Sequence, residues 1–170
     1  TPPATYSSPS PHVMARAASI TAARPLAHRR FTVWPGTVTG RDLLMTAVST
    51  TATQVNRGQT FTIANTVKNQ GTTNVTSSFS VRLYLSTDPT ITTGDTVLGT
   101  RTVSSLNAGA SNSATTTVTM PTSVAPGTYY IGAIADYANT QVEINETNNA
   151  MAGNTIEAIN SLPTANAGLE

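Results

Sequence analysis

Hydrophobic and polar residues alternate along the chain from residue 42 onward, and this alternation is the strongest signal in the sequence. In the clearest stretch, residues 79–86, Ser80 and Arg82 separate Phe79, Val81 and Leu83. A period of two places successive side chains on opposite faces of a β-strand. Similar patterns predict seven strands, at residues 43–49, 60–68, 79–86, 96–106, 114–120, 128–136 and within 150–159.

Turn-forming residues separate these segments at short intervals, as in Asn56-Arg57-Gly58, Asn69-Gln70-Gly71 and Asn107-Ala108-Gly109. Seven short strands with turns roughly every 8–12 residues are typical of an immunoglobulin-like sandwich. The predicted fold class is therefore all-β. We expect a seven-stranded Greek-key β-sandwich of the immunoglobulin type with a poorly structured N-terminal leader.

One residue breaks the alternation in the second predicted strand. Phe61, Ile63 and Val67 form its inward row, and Asn65 occupies the position between Ile63 and Val67. A buried amide is costly unless it is hydrogen-bonded. Asn65 therefore needs a hydrogen-bond partner, a position at the rim or a β-bulge.

The distribution of charge divides the chain into segments. Residues 1–41 contain five arginines and no acidic residue, whereas residues 42–160 contain four basic and seven acidic residues. Proline and serine near the N-terminus favour neither helix nor sheet. We expect a flexible basic leader or linker at residues 1–41, a β-sandwich at residues 42–160 and a C-terminal tail at residues 161–170.

Composition argues against several classes of function. Charged residues are 10% of the chain and the net charge is +1, which gives no general basic surface for nucleic acid. No window approaches the apolar length of a membrane span. The chain has no cysteine, and both histidines, His12 and His28, precede the predicted sandwich. The folded segment therefore lacks the thiolate and imidazole groups of most nucleophilic and transition-metal sites. We expect no enzymatic activity and no required cofactor. A two-carboxylate glycosidase stays a formal alternative.

Two groups of short motifs follow one another across residues 42–158. The first is Val67-Lys68-Asn69-Gln70-Gly71, Leu83-Tyr84-Leu85-Ser86-Thr87-Asp88, Gly94-Asp95 and Leu98-Gly99, and the second is Pro126-Gly127-Thr128-Tyr129-Tyr130-Ile131-Gly132, Ala135-Asp136 and Glu143-Ile144-Asn145-Glu146-Thr147-Asn148-Asn149. In order and spacing they resemble CARDB, the cell adhesion related domain found in bacteria. The resemblance implies an immunoglobulin-like fold in secreted or surface proteins, used for adhesion, as a spacer or as an accessory module, without catalytic residues. Asn65 departs from a strand position that is usually apolar or aromatic in that family.

Several residues of these motifs have structural roles that follow from their chemistry. Gly71 and Gly127 suit backbone positions with positive φ or a close approach. Tyr129 follows Pro-Gly near a strand start and resembles a tyrosine corner, whose hydroxyl bonds to upstream backbone; the alternative is an ordinary half-buried strand tyrosine. The amides of Asn148 and Asn149 can hold a turn before the last strand.

Acidic residues concentrate in two predicted loops and suggest a weak calcium site. Calcium prefers six to eight oxygen ligands from carboxylates, amides and backbone carbonyls. The strands preceding the two loops are expected to be parallel neighbours in such a sandwich, so both loops are expected to lie at the same end. The alternative is that these residues cap turns and face water. The candidate ligands are Asp88, Asp95, Asp136, Glu143 and Glu146, with Asn145, Asn148 and Asn149 as additional carbonyl donors.

The favoured function is a non-catalytic extracellular module for adhesion, spacing or binding in a larger bacterial or archaeal surface or secreted protein. Its expected partners are other domains of the parent protein, or a cell-surface protein or polysaccharide, and not nucleic acid or a membrane span. The isolated domain is expected to be monomeric. Its edge strands are nevertheless rich in threonine and poor in lysine, which leaves them little protected against strand pairing.

The alternative function is an accessory carbohydrate- or substrate-binding module of an extracellular hydrolase. A sugar platform generally needs exposed aromatic faces. Only four aromatic side chains of this kind are available in the predicted sandwich, Tyr84, Tyr129, Tyr130 and Tyr137.

Overall fold

A computed structural model of the chain describes residues 38–160, and these residues form eight β-strands and no helix. The strands are β1 (Leu43–Ser49), β2 (Gln54–Asn56), β3 (Thr60–Asn69), β4 (Phe79–Ser86), β5 (Thr96–Val103), β6 (Ser111–Thr119), β7 (Gly127–Ala135) and β8 (Ala150–Ile159). The predicted leader, residues 1–41, lies outside the described residues except for residues 38–41. The predicted C-terminal tail, residues 161–170, lies wholly outside them.

The strands form two sheets, with the orders β1-β3-β6 and β2-β8-β7-β4-β5. All neighbours are antiparallel except β2 and β8, which are parallel. Every connection along the chain crosses between the two sheets except β4 to β5 and β7 to β8, which stay within the larger sheet. This arrangement confirms the predicted all-β sandwich.

One strand more is present than the seven predicted. Strand β2 has only three residues, too few for an alternating pattern to be visible in the sequence. It forms because Gln54, Val55 and Asn56 pair with the last residues of β8. Residues between the first two predicted strands, of which Asn56 was assigned to a turn, therefore add an edge strand to the larger sheet.

The core lies between the sheets and contains the inward rows that the alternation predicts. Ile63 and Val67 of β3 face Val81 and Leu83 of β4 and Ile131 of β7, and all five are fully buried. Fully burying such a side chain contributes about 1.5–3 kcal/mol. The two rows together therefore stabilise the pairing of the sheets.

The outer face of β4 is covered, which the alternation did not predict. Tyr84 is 0% exposed and Ser86 is 2% exposed, although both lie on the row opposite the core. The loop after β4 folds back over this face, and Ile91 packs on Gly132 of β7. A Cβ atom at Gly132 would lie 2.3 Å from the Ile91 side chain. Tyr84 is therefore not the surface aromatic residue that the sequence suggested.

Both polar atoms of the Asn65 side chain are hydrogen-bonded, as its burial requires. It is 1% exposed, and its Nδ2 donates to the Ile63 carbonyl at 3.2 Å and to Thr116 Oγ1 at 3.1 Å. Its Oδ1 accepts from Nε of Arg101 on β5, and Arg101 also donates to Asn112 Oδ1 on β6 at 2.7 Å. The arginine links the two sheets along one side, and its burial lowers the pKa of the guanidinium.

The geometry expected at a tyrosine corner and at two glycines is present. Tyr129 donates its hydroxyl to the Ala125 carbonyl at 2.9 Å. A Cβ atom on Gly71 would lie 2.2 Å from the Gly40 carbonyl oxygen, and Gly127 has a φ of +155°. Close approach therefore requires glycine at position 71, and backbone conformation favours it at position 127.

We expect Arg101→Met to lower the free energy of unfolding by about 1–3 kcal/mol, because it leaves the buried Asn65 Oδ1 without its donor. Arg82→Met is the matched control, since Arg82 lies on the outer face and donates to the exposed Thr100 hydroxyl. Urea denaturation measures both. The double variant Asn65→Leu/Arg101→Met should be more stable than the sum of the single losses predicts. A loss for Arg101→Met no larger than for Arg82→Met would contradict the role of this network.

Candidate metal centre

The five predicted acidic ligands do not converge. Strands β4 and β7 are antiparallel, with Ser86 opposite Tyr130 and Val81 opposite Ala135. The loop after β4 and the loop after β7 therefore lie at opposite ends of the sheet. The eight residues of β4 at about 3.4 Å each separate them by roughly 24 Å. The expectation that both loops share one end was wrong, because it assumed parallel neighbours.

Asp88 and Asp95, in the loop after β4, cap turns. Asp88 Oδ1 accepts the N–H of Thr90 at 2.7 Å, and Asp95 Oδ2 accepts the N–H of Thr92 at 2.7 Å. Such local bonds are a common use of aspartate in loops. The turn-capping alternative therefore describes these two residues.

The other three acids lie in the segment between β7 and β8, residues 136–149, which we call the β7–β8 loop. Glu143 ties this loop to the start of β1, because its Oε2 accepts the N–H of Leu43 and its Oε1 accepts Nδ2 of Asn149 at 2.8 Å. The N–H of Glu143 in turn donates to Glu146 Oε1 at 2.8 Å. The loop is thus fixed by contacts with a strand 100 residues away in sequence.

Asp136 begins the β7–β8 loop and holds a tight turn. It is 4% exposed and has a φ of +43°. Its two carboxylate oxygens accept the Thr140 hydroxyl at 2.7 Å and the N–H of Gln141 at 2.6 Å. These bonds compensate for the burial of its charge.

Asp42 belongs to the same end of the sandwich, although the sequence patterns did not indicate it. Its Oδ1 accepts Nδ2 of Asn148 and its Oδ2 accepts Nε2 of Gln70, both at 2.8 Å. Asn148 is 106 residues away in sequence, so no local motif could have signalled this contact. Asn148 therefore bonds a carboxylate, not the nearby backbone expected for it.

The carboxyl group of Glu143 has an unusual environment. Burial raises its pKa to about 7, although the hydrogen bonds from Leu43 and Asn149 favour the ionised form. The charges of Glu146 and Asp136 raise the pKa further. The neighbouring carboxylates therefore add to the effect of burial on Glu143.

Two amide oxygens at this end lack partners. Oδ1 of Asn148 and Oδ1 of Asn149 are buried and accept no hydrogen bond within residues 38–160. Asn149 is 8% exposed, and together with Asp136 and Glu146 it lines an open cleft of about 170 Å³. Buried acceptors are normally satisfied, so the Asn149 oxygen is available to accept from a hydrogen-bond donor or to bind a cation.

The cleft offers oxygen ligands of the kind that a hard cation binds, but only a few of them. Carboxylate and amide oxygens are the ligands that calcium takes in proteins. Across the described residues, no three acidic side chains lie close enough together to hold a metal by themselves. A cation here would need the amide oxygen of Asn149 and water as well as Asp136 and Glu146. Glu143 would position Asn149 without being a ligand itself.

Comparison with known proteins gives one family and several structural neighbours. A family model named CARDB matches residues 40–153. The CARDB domain of a Pyrococcus furiosus protein, crystallised in complex with di-metal ions, is 26% identical at a TM-score of 0.53 and covers 72% of this chain and 96% of its own. A domain of a putative cell surface protein from Methanosarcina acetivorans is 26% identical at a TM-score of 0.51 and covers 71% and 94%. No curated protein matches the chain.

Without added divalent cations, we expect thermal stability to fall as the pH rises from about 4.5 to about 7. Glu143 has a higher pKa when folded than the ordinary value of 4.5. The folded protein therefore binds more protons than the unfolded chain between these values, and raising the pH destabilises it. Glu143→Gln should flatten this slope, whereas Glu157→Gln on β8 should keep it. Melting temperatures measured in EDTA test this, and an unchanged slope in Glu143→Gln would contradict it.

Proposed function

The chain belongs to the CARDB family, a group of cell-adhesion-related domains, and from that premise we propose that it is a non-catalytic spacer and adhesion module. Its place would be in a larger surface or secreted protein of a bacterium or archaeon. Other domains of that protein, or a cell-surface protein or polysaccharide, would be its partners. The path of the chain through the sandwich is the observation that best supports this proposal.

The described chain enters and leaves the sandwich at opposite ends. Arg41, just before β1, pairs with Glu143 of the β7–β8 loop. Strand β8 begins beside that loop and runs the length of the sheet, and its last residue, Ile159, accepts the N–H of Arg57 at the far end. Ten residues of β8 span roughly 33 Å. Each such module inserted into a longer protein would therefore separate its neighbours by about its own length.

A location outside the cell is supported by two observations. The family is related to cell adhesion, and the similar domain from Methanosarcina acetivorans comes from a putative cell surface protein. As a separate finding that does not bear on location, no helix among the described residues is long and apolar enough to cross a membrane. Protease treatment of intact cells tests the proposal, because a surface module is digested without lysis and an internal one is not.

The carbohydrate-binding alternative has less support from the positions of the tyrosines. Tyr84 is buried, and the guanidinium of Arg82 lies 3.4 Å from the centre of the Tyr137 ring. Tyr129 and Tyr130 are half-buried. A sugar ring stacks on an accessible aromatic face. Binding to a polysaccharide on a glycan array would nevertheless favour this alternative over a pure spacer.

We expect two copies of residues 38–160, joined head to tail by a short linker, to form an elongated particle. Small-angle X-ray scattering at low protein concentration should show a maximum dimension larger than that of one copy by about 30 Å. The single copy is the control. An increase of less than half this length would mean that the copies fold back side by side, and the spacer proposal would fail.

We further propose that the cleft at the β7–β8 loop binds calcium weakly. The unpaired Oδ1 of Asn149 beside Asp136 and Glu146 supports this. The di-metal complex of the Pyrococcus furiosus domain is consistent with it. Bound calcium would offset the repulsion among the carboxylates and hold the loop against β1. Calcium sites in extracellular modules have dissociation constants of about 10⁻⁴–10⁻³ M.

Calcium at tenfold excess over its dissociation constant should stabilise the protein by about 1.4 kcal/mol. Glu146→Gln keeps the Oε1 acceptor for the Glu143 N–H but removes the charge, and it should abolish this stabilisation. Asp88→Asn and Asp95→Asn, at the opposite end, are matched controls and should respond like the wild type. Thermal unfolding with and without calcium measures the effect. Equal responses in Glu146→Gln and the wild type would contradict this site.

A further inference from the structure

Three of the four strands at the sheet edges have features that hinder pairing with another chain. Strand β2 has only three residues, and β1 has a register shift between Met45 and Ala47. Strand β5 has a register shift in its pairing with β4 and contains the charged Arg101. Short length, bulges and charges are the usual means by which proteins protect an edge.

Strand β6 has none of these features over most of its length. It pairs with β3 through nine consecutive residue pairs, from Thr60 opposite Thr119 to Lys68 opposite Ser111, without a register shift. Its nine residues include no charge and no proline, and residues 102–135 as a whole contain no charged residue. Among the described residues, no second strand pairs with it.

The hydrogen bonds at the two ends of the β3–β6 ladder show which backbone groups are free. Asn69 N donates to the Ala110 carbonyl at 3.0 Å, and Met120 N donates to the Gln59 carbonyl at 2.9 Å. In an antiparallel ladder, residues bond the neighbouring strand alternately. The even-numbered residues of β6 therefore face β3. The groups that face outward belong to Ser111, Ser113, Thr115, Thr117 and Thr119.

We propose that β6 is an interface between two copies of this chain, paired antiparallel across a two-fold axis at Thr115. This register places Thr115 opposite its own copy and Ser113 opposite Thr117 of the other copy, and the outward backbone groups of both strands then bond each other. The two three-stranded sheets would form one sheet of six strands. The same patch serves on both copies, as a two-fold interface requires.

A second copy fits this edge better than a charged partner because of the side chains. In a two-fold pair each residue near the axis meets its own type, and like charges directly opposite are destabilising. The side chains of these five odd-numbered residues are exposed, and all are serine or threonine, whose hydroxyls both donate and accept. The 2.9 Å contact between Thr66 Oγ1 and Ser113 Oγ already shows such a pair within one copy.

The proposed dimer differs from the monomer expected from the sequence, and it does not depend on the spacer or calcium proposals. Arg101 Nη2 donates to the Asn112 carbonyl at 3.1 Å, and by the same alternation this carbonyl faces β3, so the contact occupies none of the outward backbone groups of β6. The centre of the strand, around Thr115, stays open to a partner. Tests therefore target that position.

Sedimentation equilibrium of the full chain over a series of rising concentrations should show a mass that doubles. Thr115→Lys should abolish the doubling, because the two new charges would face each other at the axis. Ala64→Lys is the matched control, since Ala64 is exposed and lies directly opposite Thr115 on the central strand β3. This variant should dimerise like the wild type. A wild-type monomer at every concentration, or equal masses for Thr115→Lys and the wild type, would overturn the proposal.

A cysteine test checks the register and is independent of the charge variants. The chain has no cysteine of its own. In the proposed pair, two copies of Thr115→Cys lie within the separation of Cα atoms, about 4.4–6.8 Å, that a disulfide requires. Mild oxidation should therefore cross-link this variant. Ser111→Cys places the two sulfurs roughly 27 Å apart and should stay monomeric under denaturing conditions. Equal cross-linking of both variants, or none of Thr115→Cys, would overturn the two-fold register.

Discussion

The antiparallel pairing of β4 with β7 determines where each loop of the larger sheet lies. It sends the loop after β4 to one end and the β7–β8 loop to the other. The acidic residues are therefore divided between turn capping at one end and an open cleft at the other. Because β8 in turn pairs antiparallel with β7, the end of β8 lies far from Glu143. Since Arg41 pairs with Glu143, the chain enters the sandwich at one end and leaves it at the other.

Buried polar residues join parts of the fold that the hydrophobic core does not reach. Arg101 connects β5 with Asn65 and Asn112 along one side, and Glu143 connects the β7–β8 loop with β1 at one end. In each case a charged group is held by several hydrogen bonds, which reduces the cost of its burial. The unpaired oxygens of Asn148 and Asn149 differ from this pattern. Tyr84 Oη and Arg57 Nε are also buried without a partner, so it is the neighbouring carboxylates that distinguish the cleft.

Charged residues are distributed unevenly over the sandwich, being absent from the edge strand β6 and present in the loop at one end. Strand β6 lies within a charge-free stretch and presents serine and threonine, whereas the β7–β8 loop contains three acids. Pairing through β6 would use a side of the domain and leave both ends free for the preceding and following chain. A cation at the β7–β8 loop and a second copy at β6 would therefore not compete. A spacer could form both contacts at once.

The sequence by itself determined the strands with a clear alternation, because side chains on a strand repeat every two residues whatever the surrounding fold. Residues 79–86 are the best example, and the need of Asn65 for a partner was equally visible. The sequence could not show β2, the cover over Tyr84 or the contact of Asp42 with Asn148. Only the tertiary structure decided these, since each depends on residues brought together from distant parts of the chain. For the same reason, the assumption of parallel neighbouring strands wrongly placed the two acidic loops at one end, and the antiparallel pairing of β4 with β7 places them at opposite ends.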